Sequence, residues 1–312
     1  MRSKACRVHR FGPPDVIAIE DVDVPEPGEG EVLLRVKAAG VGPWDAWIRS
    51  GRSALPQPLP LTLGADLSGE VAAVGPGVAS LAVGDAVFGN TNPRFTGAHA
   101  EYAIATAAML ARAPTALSDA QAASVPVVAV TAWQALFEQA KVAHGQTVLV
   151  HGAAGSVGAY AVQLAHHAGL HVIATAGAAD VDEVRRLGAD SVLDYRATRF
   201  EDVVPSVDAV VDLVGGEAQR RSFAVLKPGG TLVSAVSEPE QAMAARHGVT
   251  AMFFLVNVTS AHLARIGDLL GQGVLSPRVG AVLPLAAART AHEMLEGSRP
   301  RPRGRVVLQV AG

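Results

Sequence analysis

Residues 148–165, VLVHGAAGSVGAYAVQLA, constrain this chain more than any other stretch, because an apolar strand runs through a cluster of small residues straight into a helix-forming segment. A helix N-terminus carries backbone N–H groups without intrahelical acceptors and a partial positive charge, so small side chains there let a diphosphate reach the main chain. Ala154, Gly155, Ser156 and Val157 line that approach, and Gly158 sits where the first helical turn packs on the strand. Ala153 stands where the G-x-G-x-x-G fingerprint has its first glycine. Taken alone, the string fits any tight βα connection.

Its surroundings favour a dinucleotide site. From residue 118 to about 262, apolar runs at 147–151, 171–175, 191–193, 208–213, 231–235 and 250–255 alternate with helical segments, the pattern of a doubly wound parallel sheet. Gly188 closes the helical segment ADVDEVRRLG, and LKPGG, 226–230, reads as a turn into the next strand. Residues 4–112 read differently, as short β-rich runs broken by glycine and proline. After residue 260 come a helix, AHLARIGDLLGQG, and a last strand, GRVVLQV, that returns to the first domain.

Composition excludes several classes. With 49% hydrophobic residues over 312 positions, the chain can bury a large core, and a formal charge of -3 offers no basic field for nucleic acid. No run is a clean membrane span. The lone Cys6 cannot close an internal disulfide, and the opening MRSKACRVHRFGPP lacks the apolar stretch of a secretory signal, so a cytoplasmic protein is expected.

The end of the second strand of the doubly wound half bears on which dinucleotide binds. An NAD site places Asp or Glu about 20 residues beyond the glycine turn to hold the ribose hydroxyls. Here Thr175, Ala176 and Gly177 carry no charge, while Tyr195, Arg196 and Arg199 offer a hydroxyl and two cations to a 2′-phosphate. NADPH is the expected cofactor. The alternative is that these arginines are solvated surface charges.

Taken together, AAGVGPWDAWIRSG, LGADLSGEVAAVGPGVASLAVGDAVFG, AEYA, TAWQAL, HGAAGSVG, LGADSVLDYR, DLVGG, LKPGG and GRVVLQV resemble, in order and spacing, the zinc-independent quinone oxidoreductase (zeta-crystallin-like) branch of the medium-chain dehydrogenases/reductases. The resemblance runs from about residue 5 to 310. It implies a GroES-like β-rich catalytic domain, 1–120 completed by 263–312, and a Rossmann NADPH-binding domain, 121–262. It also implies an active site in the cleft between the domains, and a homodimer.

In the zinc-dependent alcohol dehydrogenases of that superfamily, a Cys, a His and a third ligand hold the catalytic metal. The matching positions here are Gly42, Ala65 and Val127, and no cysteine lies between Phe88 and Glu101 to build a structural zinc lobe. His166 and His167 are adjacent on one helix and diverge by about 100°, which does not suit chelation from one face. With no residues to hold a Lewis acid, the expected chemistry is hydride transfer to an electron-poor acceptor, a quinone or α,β-unsaturated carbonyl. Negative charge developing on the acceptor oxygen then needs only positioning and hydrogen-bond donors, with a proton from water.

The resemblance places Thr131 near the nicotinamide, Val214, Gly215 and Ala235 along the cofactor, and the main chain of Phe253, Phe254 and Leu255 at its carboxamide. Trp44, Asp45, Trp47 and His99 are the candidates on the substrate side, where Gly42 and Trp47 replace the Asn and Tyr that such reductases often carry. Trp44 and Trp47 are expected as an apolar wall, and Asp45 as a hydrogen-bonding group within its own domain rather than a proton donor. Two other classes remain open: a biosynthetic enoyl thioester reductase, and a non-catalytic NADPH-binding or scaffolding protein.

Overall fold

The computed structural model describes residues 1–310. In chain order the elements are β1 (Arg2–Val8), β2 (Ala18–Asp23), β3 (Glu31–Val41), α1 (Pro43–Arg49), β4 (Leu61–Thr62), β5 (Asp66–Val74), β6 (Ala86–Asn90), β7 (Tyr102–Thr106), β8 (Leu110–Arg112) and α2 (Asp119–Ala123). Then follow α3 (Pro126–Trp133), β9 (Thr147–Val150), α4 (Ser156–His167), β10 (His171–Ala176), α5 (Val181–Arg186), β11 (Ser191–Asp194), β12 (Val207–Asp212), α6 (Gly216–Ser222), β13 (Leu226–Ser234), α7 (Gln241–His247) and β14 (Thr250–Phe253). The chain closes with α8 (Ser260–Gly271), β15 (Val279–Pro284), α9 (Ala288–Leu295) and β16 (Arg305–Gln309). Two compact units result, 1–127 with 258–312, and 128–257.

The first unit is β-rich. Its larger sheet runs β15-β16-β3-β5-β6-β8, with β7 also on β3, and a smaller sheet runs β2-β1-β4. Along β3, alternate residues Val32, Leu34 and Val36 are fully buried, and they form one core with Leu67, Val71, Val87 and Leu110. The alternation breaks at residues 38–41, where β16 pairs antiparallel on the other side of β3 and both faces are covered. A second core joins Cys6, Ile48 and Leu63 to Ala288 and Ala291 of α9.

The second unit is a six-stranded parallel sheet in the order β11-β10-β9-β12-β13-β14, the doubly wound arrangement expected from the alternation of strands and helices. Its inner strands are near-continuous apolar runs, as a sheet covered on both faces requires. The chain order reverses beside β9, so the loops after β9 and β12 diverge at the switch point where such sheets take ligands.

Two local expectations change. LKPGG lies inside β13 rather than before it: Gly229 adopts φ +79°, its amide donates to the Gly248 carbonyl, and Lys227 Nζ pairs with Asp208 at 2.8 Å, so pairing continues around an irregular register. The strand expected over 250–255 ends at Phe253. Gly188 does stop α5, at φ +109°. Among the described residues no helix is long and apolar enough to cross a membrane.

Candidate nucleotide-binding and active site

β9 delivers the chain into the glycine turn, and the residue that reverses it is Gly152, in the left-handed region at φ +70°. Ala153 is fully buried and its N–H donates to the Thr175 carbonyl at 3.1 Å. The missing first glycine of the fingerprint is thus supplied one position earlier. Gly155 caps α4 with an extended backbone and no side-chain hydrogen bond, leaving the amides of Ser156, Val157 and Gly158 in the first turn without a side-chain acceptor from the cap. A Cβ at 155 would meet only the Gly152 carbonyl, at 3.1 Å, whereas one at 158 would press on Gly152 and Ala153 backbone. Gly155 keeps the approach open, Gly158 lets the helix seat, and the cradle fits a diphosphate.

The remaining sheet-end candidates follow the C-terminal ends of successive strands. Gly177 follows β10 and Tyr195 follows β11; the two meet, the Tyr195 ring lying 3.7 Å from where a Gly177 Cβ would stand. Tyr195 is exposed, with the Arg196 guanidinium 5.5 Å from its ring centroid. Two expected contacts take other partners. The Thr175 hydroxyl faces the buried His151 ring at 3.0 Å, and Arg199 is held at the surface by Glu201 and Asp202, so its charge is already countered. Asp180, buried after β10, turns Oδ2 toward Gly177, 3.8 Å from that same Cβ position.

Asp212, which sequence reasoning passed over, organises the next loop. It is fully buried at the end of β12; Oδ1 accepts the amides of Val214 and Gly215 at 3.1 and 2.8 Å, and Oδ2 accepts from Gln219 Nε2 and Ser234 Oγ at 2.9 and 2.8 Å. Oδ1 thus fixes the Val214–Gly215 loop, where Gly215 takes φ +77°, while Oδ2 ties the carboxylate to α6 and β13. The readable signal was an acid ending an apolar strand before Gly-Gly. Ala235 donates its N–H to the Asp212 carbonyl, and Phe254 donates to the Ser234 carbonyl. Phe253 and Phe254 are half-buried and Leu255 is exposed. Thr131 is buried on α3, which continues into a π-helical turn at 134–139.

In the first unit, α1 begins at Gly42, and Asp45 Oδ2 accepts the Gly42 amide at 2.7 Å, a capping contact. Asp45 is fully buried; burial pushes its carboxyl up to about 7, against the Gly42 amide and the Arg305 charge, with Asp66 adding to the rise. Asp66, also fully buried, accepts Arg305 Nη2 at 2.7 Å and the Val127 amide at 3.0 Å, and burial raises it to about 6. The Arg305 guanidinium in turn lies 4.5 Å from the Trp44 ring centroid.

On this side Asp45 keeps the internal hydrogen-bonding role expected of it, and the reading of His99 changes. His99 does not line a cleft: it is fully buried, its Nε2 is 3.1 Å from the Gly40 carbonyl, and burial lowers it to about 4. Asp45 serves a helix cap and an internal charge cluster. Trp44 is half-buried with its indole nitrogen covered, and Trp47, 46% exposed on α1, presents the largest surface of the four to solvent.

Two family models match, the alcohol dehydrogenase GroES-like domain over residues 28–115 and the zinc-binding dehydrogenase over 187–308. The chain is 32% identical over 313 residues to the quinone oxidoreductase of Homo sapiens, covering 95% of this chain and 94% of that protein. It belongs to the zinc-independent quinone oxidoreductase family of the medium-chain dehydrogenases/reductases. Among solved structures, the quinone oxidoreductase from Coxiella burnetii superposes with a TM-score of 0.92 at 34% identity, with all of each chain covered. The mycobacterial protein Rv1454c complexed with NADPH superposes at 0.86 with 33% identity, over 98% of this chain and 99% of that one. This quinone oxidoreductase relative is accordingly an oxidoreductase of an NAD(P)-dependent family.

Family membership gives Gly42 a physical meaning. In place of a metal-ligating side chain at 42 stands the Trp44 indole, whose ring atoms lie 2.6 to 2.8 Å from where a Gly42 Cβ would be. The indole uses the volume a ligand would need, and its cationic neighbour Arg305 is anchored behind it. Among the described residues no group of three or more His, Cys, Asp or Glu side chains is placed to hold a metal ion.

Proposed function

We propose that this protein transfers hydride from NADPH to a quinone or an α,β-unsaturated carbonyl. The observation that carries the reading is the turn from Gly152 to Gly158, an amide-lined helix start with a glycine at each point where a side chain would block it. Bound there, NADPH supplies the hydride, so the protein need furnish only binding, orientation and a suitable electrostatic environment.

The chain's own groups divide that work. The amides of Ser156, Val157 and Gly158 hold the diphosphate, and Asp212 keeps the Val214–Gly215 loop in one conformation beside it. Gly177 places no carboxylate of its own against a 2′-phosphate, and Tyr195 with Arg196 offers a hydroxyl and a cation. The Asp180 carboxylate weighs toward NADH, which makes the comparison of the two nucleotides a direct test. Proton supply falls to water, because Asp45 and His99 are sealed in the interior of their unit. A homodimer through β14, an edge strand of the parallel sheet, completes the reading.

The test is binding followed by turnover. Calorimetry with NADPH and NADH should show tighter uptake of NADPH, and oxidation of NADPH should follow addition of 1,4-benzoquinone, a simple enone or an enoyl thioester. Uptake of neither nucleotide refutes the proposal. Binding with no oxidation by any acceptor points to a scaffolding role, and oxidation by the thioester alone to a biosynthetic enoyl reductase.

A further inference from the structure

His151 follows β9 at the C-terminal edge of the parallel sheet, with 2% of its surface exposed. Its Nδ1 lies 3.0 Å from Thr175 Oγ1 and its Nε2 2.9 Å from Ser222 Oγ. A neutral imidazole has one N–H to place, and the partners decide where. Ser222 gives its only hydroxyl hydrogen to the Ala218 carbonyl, at 2.6 Å, so it meets the ring as an acceptor. The hydrogen therefore sits on Nε2, and Nδ1 accepts from the Thr175 hydroxyl. A single direction runs from Thr175 through His151 and Ser222 to the Ala218 carbonyl.

This chain grips the glycine turn on both sides of its reversal. Thr175 donates its hydroxyl to His151 and accepts the Ala153 amide on its carbonyl, at 3.1 Å, leaving Gly152 as the left-handed residue between two pins on one strand end. The His151 amide donates to the Val211 carbonyl of β12 at 2.9 Å. Ser222 ends α6, the helix that starts after Gly215, so the ring also links the turn to the element carrying the second loop.

We propose that His151, as its Nε2–H tautomer, is a positioning residue for the nucleotide: through Thr175 and Ser222 it fixes the turn that presents the amides of residues 156–158. The proposal rests on the nucleotide reading given above. The Phe200 ring packs edge-on at 4.7 Å, and the charged groups facing the imidazole are Asp212, Arg221 and Glu201. Burial lowers His151 to about 4; Asp212 and Glu201 oppose this and Arg221 assists it, so the ring is neutral at neutral pH.

Three measurements test it. Long-range proton–nitrogen correlation spectra of histidine-labelled protein, with His151 assigned through His151→Gln, should show Nε2 protonated and Nδ1 bare. Ser222→Ala and Thr175→Val each remove one hydrogen bond to the His151 ring, and each should raise the Kd for NADPH about fivefold, as loss of one such bond predicts. For Ser222→Ala the KM for NADPH rises with it while kcat with benzoquinone stays near wild type, a split that general loss of structure would not give. His151→Gln, which keeps a donor at the Nε2 position, should bind NADPH more tightly than His151→Ala. The opposite tautomer, or unchanged Kd in both partner variants of a wild type that binds NADPH, overturns the proposal. A wild type that takes up no nucleotide overturns the underlying reading, and this proposal with it, whatever the tautomer.

Discussion

Gly158 approaches Gly152 so closely that a Cβ added at 158 would stand 2.3 Å from the Gly152 carbonyl oxygen. That contact fixes how deeply α4 seats on the turn, and hence where its first amides point. Gly158→Ala forces the helix away at a cost of about 1–3 kcal/mol in stability. The Kd for NADPH should rise at least about tenfold, about 1.4 kcal/mol. Urea unfolding and calorimetry read the two effects, and an alanine variant that binds normally would show the seating to be irrelevant.

Gly177 is extended, φ -78° and ψ 157°, and a Cβ there meets nothing closer than 3.7 Å, so Gly177→Asp fits without strain. The new carboxylate would face the 2′-phosphate region and weaken NADPH by roughly 1–4 kcal/mol, the repulsion of like charges a few ångströms apart near a surface. Relative kcat/KM for NADPH and NADH should move toward NADH. Arg199→Ala, whose side chain pairs with Glu201 and Asp202, should alter NADPH binding less than about twofold.

Asp212→Asn keeps the shape but replaces a carboxylate that accepts four hydrogen bonds with an amide that also donates. Weakening these charge-assisted bonds costs about 1.5–3 kcal/mol each at most, and part of it appears as a looser Val214–Gly215 loop. The expected result is a KM for NADPH raised roughly tenfold with a smaller fall in kcat. An unchanged KM would separate the loop from nucleotide binding.

Asp45 holds its proton from an ordinary value of 3.8 up to about 7 in the folded protein. Between those values the native state binds more proton than the unfolded chain, so its contribution to stability is full below about 3.8 and is lost as pH rises through about 7. Asp45→Asn removes that loss, and its stability relative to wild type should improve steadily from pH about 4 to pH about 8. His99 and His151, lowered to about 4, act oppositely and lose stability as pH falls from 6.5. Urea midpoints across this range decide the matter: a difference independent of pH would mean Asp45 is not protonated in the fold.

Arg305 and Asp66 form an ion pair in which neither side chain is more than 3% exposed. Arg305→Met leaves the Asp66 carboxylate buried with one amide partner, a loss of about 3–5 kcal/mol. Its unfolding midpoint should fall accordingly, and the indole fluorescence of Trp44, now without its guanidinium neighbour, should shift. A midpoint within error of wild type would place the pair's charges in water.

Much of this was legible in the primary structure. The alternation of apolar runs with helical segments determined the parallel sheet, since each strand covered on both faces must be apolar throughout, and the spacing of small residues determined the turn after β9. Glycine at 42 and alanine at 65, once the resemblance had matched them to the family's metal-ligand positions, likewise left no ligating side chain there. What only the tertiary structure decided was which polar side chains face inward. His151 and His99 lie far in sequence from the partners that satisfy them, Asp45 and Asp212 turn inward onto amides of their own loops once distant strands enclose them, and Gly152 rather than Ala153 makes the reversal because a Thr175 carbonyl from the next strand pins the alanine amide. Local sequence sets periodicity and backbone freedom; the charge and direction of a buried group are set by contacts that exist only once distant strands have paired.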